Sequence, residues 1–187
     1  VDGDRVRIPL NRLLAAALLL AGAAGCAKSG DGKGPAPRLD KATLSNAEYR
    51  IPIATVGDGG NVRARGGNWS GPQGKESLTV LDLNARGDLD GDGVPDAAVV
   101  LVYWGGGSGV FNYLAAVVND HGTPRHVASA ELGDRVRIDG LSAAGGKVTV
   151  TLTVQGPNDP MCCPTQAVTR TFALHGQELV ETGKETP

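Results

Sequence analysis

The chain has 187 residues, 41% of them apolar, with 28 glycines, 11 prolines, three cysteines and a formal net charge of −2. That length and apolar fraction suit one domain with a real core and exclude wholesale disorder. The near-neutral balance, without a long Lys/Arg run, excludes a basic surface for nucleic acid, so no nucleic-acid partner is expected.

Arg5, Arg7 and Arg12 precede or open an uncharged run at 13–24 (LLAAALLLAGAA), and Cys26 follows Ala23-Ala24-Gly25. A basic start, a short apolar stretch and small residues before a cut site have the form of a secretory signal. The run is shorter than the roughly 20 residues a membrane-spanning helix needs. The cysteine behind small residues resembles a bacterial lipobox, with Ala23 where Leu is usual. That resemblance implies a lipoprotein signal peptide over residues 1–25, cleavage before Cys26, lipidation of Cys26 and attachment to the membrane of a bacterial cell envelope. Ala27 after the cysteine points to the outer membrane if the cell is Gram-negative. Residues 26–40 follow as the lipidated cysteine and a flexible linker, because 27–38 (AKSGDGKGPAPR) carries no large apolar side chain. A single β-rich domain is expected over 41–187.

Only residues 42–49 offer a helix, of two turns. The rest reads as strand. Residues 148–154 (VTVTLTV) alternate apolar side chains with threonine, the pattern of a half-buried strand. Further strands are predicted at 77–83, 97–104, 110–119, 127–132, 135–141, 167–174 and 178–181. Residues 98–102 are apolar on both faces, which places their strand centrally. Gly-rich or Asn/Asp breaks at 105–109, 119–122, 144–146 and 175–176 favour hairpins over helical crossovers. The expected fold is all-β and mainly antiparallel, a sandwich or partly closed barrel. Residues 3–8 and 133–138 both read GDRVRI, but their flanks diverge and no structural repeat follows.

The sharpest chemical motif is Asp88-Leu89-Asp90-Gly91-Asp92-Gly93-Val94-Pro95-Asp96. Carboxylates fall at loop positions 1, 3, 5 and 9, Gly93 sits at position 6 where a calcium loop turns sharply, and the Val94 carbonyl would serve position 7. Hard oxygen donors suit Ca²⁺. Four carboxylates this close repel one another, by about 1 kcal/mol per pair at 4 Å in water, so the loop asks for a counter-charge. Asp88, Asp90, Asp92, Val94 and Asp96 are the predicted metal ligands, with a structural Ca²⁺ as the expected cofactor. An EF-hand is excluded, because position 12 is Val99 rather than Glu. The spacing is similar to the DxDxDGxxD loops of integrin-type and FG-GAP propellers, but it occurs once, which excludes a complete propeller. Arg86-Gly87-Asp88 spells an integrin-recognition tripeptide, which is discounted because Asp88 is already the first ligand.

The second unusual segment is Pro160-Met161-Cys162-Cys163-Pro164. Adjacent cysteines have Cα atoms about 3.8 Å apart, below the roughly 4.4–6.8 Å usual for a disulfide. Three readings stay open: a vicinal disulfide stiffening its loop, a redox switch, or soft-metal binding. His121, His126 and His175 lie at or near predicted turns and are expected to be solvated. No nucleophile elbow, HExxH helix or phosphate loop is present, so no catalytic residue is assigned. Trp69, Tyr103, Trp104, Phe111 and Tyr113 are candidate contact aromatics, with core burial expected for Phe111 and Tyr113.

Residues 87–101 (GDLDGDGVPDAAVVL), 106–115 (GGSGVFNYLA), 132–138 (LGDRVRI) and 156–166 (GPNDPMCCPTQ) together resemble a family of uncharacterised bacterial secreted or lipid-anchored proteins. The resemblance spans about residues 44–182, and Tyr103-Trp104 stands outside it. It implies no activity. The expected role is a non-catalytic, calcium-stabilised envelope module that binds another envelope protein or a glycan. The alternative is an envelope enzyme, either thiol-redox active through Cys162 and Cys163 or a metal-assisted hydrolase.

Overall fold

The structure, a computed structural model, describes residues 37–52, 60–160 and 162–186. The expected signal peptide, Cys26 and the linker up to residue 36 lie outside the described residues. A short helix, α1 (Lys41–Ser45), is followed by β1 (Glu48–Arg50), β2 (Asn61–Arg63) and β3 (Asn68–Ser70). Eight longer strands then run as β4 (Ser77–Gly87), β5 (Asp96–Trp104), β6 (Val110–Asp120), β7 (Thr123–Asp134), β8 (Arg137–Ala144), β9 (Lys147–Val154), β10 (Gln166–His175) and β11 (Glu178–Glu185). The sheets have the orders β1-β2, β3-β4-β5-β6-β7 and β11-β10-β9-β8, every pairing is antiparallel, and none of the three closes on itself. The described residues are therefore sandwich-like, with no closed barrel among them.

The five-stranded sheet is covered on both faces, which explains the uninterrupted apolar run in β5. Alternation sends Val99, Leu101 and Tyr103 of β5, with Tyr113, Ala115 and Val117 of β6, to one side. There they meet Leu39, Leu44, Ala47, Tyr49, Ile51 and Val62. Ala98, Val100, Leu114 and Ala116 point the other way, onto Val148, Val150, Leu152 and Phe172 of the four-stranded sheet. Burying an aliphatic or aromatic side chain of this size contributes about 1.5–3 kcal/mol, so both walls matter to stability. Leu39, in the segment just before α1, is fully buried and belongs to this core.

The two-turn helix expected over 42–49 is replaced by one short helix and a strand. Asp40 caps α1, accepting hydrogen bonds from the Thr43 N–H and hydroxyl, both at 2.6 Å. The chain then leaves the helix because Tyr49 and Ile51 gain more by entering the core as alternating strand residues than as helical ones. The Tyr49 hydroxyl donates to the Leu44 carbonyl at 2.7 Å, and burial lifts its pKa well above the ordinary phenol value.

Strand β4 runs four residues beyond the expected 83, because a bulge interrupts it without ending it. Val80 pairs with Leu101 and Asn84 with Val99, so residues 81–83 oppose Val100 alone. Pairing resumes to Gly87 opposite Asp96, which makes residues 88–95 a hairpin connection. Arg86 and Gly87 are paired strand residues, so the RGD tripeptide is not displayed on a loop tip.

The 105–109 turn is a hairpin connection, as expected. Gly106 has φ +81°, and a Cβ there would lie 2.6 Å from the Lys75 carbonyl oxygen. Gly106→Ala is expected to cost about 2 kcal/mol or more, from left-handed backbone strain plus a backbone clash. A urea melt checks this. Gly107→Ala, where a Cβ meets nothing within 4 Å, should be far milder.

Candidate metal centre

The acidic loop joins β4 to the buried strand β5, and Asp96 at the start of β5 fixes it there. Asp96 is fully buried. Its Oδ2 accepts from the Leu89 N–H at 2.8 Å and the Asp90 N–H at 3.3 Å. Its Oδ1 accepts from the Asn119 N–H at 2.9 Å. Burial raises its pKa, opposed by the amide bonds from Asn119 and Leu89 and reinforced by the neighbouring Asp90 charge. Asn119 in turn donates from Nδ2 to the Pro37 carbonyl at 2.9 Å and the Pro95 carbonyl at 3.1 Å, and its Oδ1 accepts from Gly122 N–H at 2.7 Å. One buried carboxylate thus joins the acidic loop to the turn between β6 and β7.

The rest of the loop is wound by its own amides. Asp88 accepts from the Gly91 N–H at 2.7 Å and the Gly93 N–H at 3.0 Å. Gly91 and Gly93 have φ of +86° and +82°, and a Cβ at either would meet nothing within 4 Å. These glycines are needed for backbone conformation rather than for space. Asp90 accepts from Asp92 N–H at 3.2 Å, and Asp92 from Val94 N–H at 2.7 Å.

Asp88, Asp90 and Asp96 each bring one carboxylate oxygen within 4.8 Å of the others. Oxygens bound to one Ca²⁺ at about 2.3–2.6 Å can be no more than about 5 Å apart, so these three donors fit a single hard cation. Asp92 stands outside that group of carboxylates, its oxygen turned to the Val94 amide. A surface groove of about 930 Å³ beside α1 and the β4 bulge shares no residue with the loop.

His126 is the functional-looking group that sequence reasoning placed wrongly. His121 and His175 are exposed as expected, but His126 lies within β7 and is largely buried under Tyr49, whose ring packs edge-on at 5.9 Å. Its Nδ1 accepts from the Arg50 N–H at 3.3 Å, and its Nε2 lies 2.9 Å from the Ser129 hydroxyl, which donates to the Arg50 carbonyl at 3.1 Å. With Ser129's proton committed to Arg50 and Nδ1 acting as acceptor, Nε2 must carry the imidazole proton. A Ser–His pair in this tautomer cannot deprotonate the serine, so its geometry is structural: it ties β1 to β7. Burial, helped by the Arg50 charge, lowers the His126 pKa to about 4 against an opposing contribution from the Ala128 backbone.

Among the aromatic candidates, Tyr113 is buried as expected and Phe111 is partly buried. Tyr103 is buried too, its hydroxyl 3.3 Å from Glu76 Oε1, so it offers no contact surface. Trp69 is partly buried against the core. Trp104 is exposed and donates from Nε1 to the Gly107 carbonyl at 2.7 Å.

Cys162 and Cys163 are joined as a vicinal disulfide in the loop between β9 and β10, and both are exposed. The residue that shapes this loop is Asp159, which the sequence reading did not single out. Its carboxylate accepts from the Gly156 N–H at 2.7 Å, the Thr165 N–H at 2.7 Å and the Thr165 hydroxyl at 2.8 Å, and those bonds lower its pKa. The available signal was Asn158-Asp159-Pro160, a turn-forming run whose Asp side chain can accept from nearby backbone amides. Comparison with protein families, curated proteins and solved structures finds no match to this chain.

Proposed function

We propose that this protein is a non-catalytic module of the bacterial cell envelope whose acidic loop takes a structural Ca²⁺. The observation that carries the metal reading is the convergence of Asp88, Asp90 and Asp96 in a loop already wound by its own amides. The cation would supply the charge that three crowded carboxylates lack. The pattern of arginines, apolar run and Cys26 supports export and a lipid anchor, and Trp104 is the aromatic best placed to meet an envelope protein or a glycan.

The test is a thermal melt of the chain in millimolar CaCl₂ and again in EDTA. A ligand bound only by the native state adds RT ln(1 + [L]/Kd), about 2.7 kcal/mol at a hundredfold excess. The midpoint should rise by about 5–11 °C. An unchanged midpoint, together with no calcium in elemental analysis of the purified protein, would overturn the metal reading.

A further inference from the structure

We propose that Cys162–Cys163 is a thiol–disulfide exchange site that takes two electrons from a dithiol. A disulfide stabilises chiefly by closing a loop in the unfolded chain, and a bond between neighbours closes none. The loop's shape comes from elsewhere. Asp159 bridges Gly156 and Thr165, Gln155 Nε2 donates to the carbonyls of Asp159 and Pro160, and the Cys163 N–H donates to the Pro160 carbonyl at 2.9 Å. This frame holds the segment whether or not the sulfurs are joined.

Two further features favour exchange. Both cysteines are exposed, so an attacking thiolate can reach either sulfur. Adjacency holds the Cα atoms 3.8 Å apart, below the roughly 4.4–6.8 Å that a relaxed bridge spans, which makes the bond easier to reduce. In the reaction, a thiolate of the dithiol attacks one cysteine sulfur, breaking the Sγ–Sγ bond and forming a mixed disulfide. The other cysteine leaves as a thiolate and takes up a proton. The second thiol of the reductant then attacks the mixed disulfide, releasing the remaining cysteine. The dithiol ends as its own disulfide, and the protein holds two thiols.

The full chain is equilibrated in glutathione buffers of graded ratio beside a reference protein with a loop-closing disulfide. Free thiols are then alkylated and counted by mass on the peptide spanning 155–165, which keeps Cys26 out of the count. The peptide should gain two alkyl groups at a reduced-to-oxidised ratio at least about tenfold lower than the reference bridge requires. The circular dichroism of the fold should stay unchanged. Cys163→Ser should leave Cys162 to capture one glutathione per 155–165 peptide from the oxidised form. The proposal fails if the bridge resists reduction until the protein unfolds, or if the two thiols stay free in oxidised glutathione. It also fails if the Cys162→Ser/Cys163→Ser double variant melts well below the parent, which would make the bond structural.

Discussion

Asp96→Ala should lose about 3 kcal/mol of stability even in EDTA, whereas Asp90→Ala should change stability by no more than about 0.5 kcal/mol under the same conditions. The contrast follows from where each carboxylate spends its oxygens. Asp96 is fully buried and satisfies three backbone amides from two parts of the chain, and truncation leaves the Leu89 and Asn119 donors without a partner. Asp90 is exposed and accepts one amide of its own turn. Adding calcium reverses the ranking of what is learned. Asp90→Ala should abolish the calcium-dependent rise in midpoint while leaving the EDTA value near the parent's. Equilibrium urea unfolding, with and without the metal, measures both quantities. If Asp90→Ala kept the full calcium response, the converged trio would not be the binding site.

The second large effect is expected from acid. His126 is neutral in the fold, with its pKa lowered to about 4 by burial, against an unfolded value of 6.5. Between those values the unfolded chain binds a proton that the native state does not, so stability rises with pH across that window. It is fully present above about 6.5 and drains away as pH falls toward 4, for a total of about 3 kcal/mol. Protonated Nδ1 would face the Arg50 N–H as a second donor, so the loss should begin at β1. The stability difference between the parent and His126→Gln isolates this from the carboxylates. It should be large at pH 7 and shrink toward pH 4, with amide exchange of residues 49–51 quickening first. A difference that does not vary with pH would show that the imidazole is not held neutral.

The long strands were legible because their side chains alternate over enough residues to register. Val148 to Val154 read as a strand from the pattern alone and is one, as β9. The strands β1, β2 and β3 span three residues each, too short for any period to show. β1 and β2 cover the outer face of β5 and β6 and β3 extends the edge of their sheet beside β4, both tertiary requirements with no local signature. His126 was misplaced for a related reason. Pro124 and the Asn119–Gly122 turn suggest a loop, yet the hairpin is so tight that β7 already begins at Thr123, which puts His126 opposite Val117 on the covered face. At the acidic loop, spacing alone located the carboxylates. It could not reveal that Asp96 serves as the loop's internal anchor, because its partner Asn119 lies 23 residues away.

Asn119 has a mechanical consequence. The Pro37 carbonyl is gripped by the Asn119 side chain, while the Asn119 backbone N–H holds Asp96. Tension applied at Pro37 is therefore passed straight to Asn119 near the end of β6, and so into the five-stranded sheet beside the acidic loop. Under the proposed anchoring, a pull from the membrane would be delivered beside the acidic loop, and a cation bound there would raise the force needed to peel the first residues away.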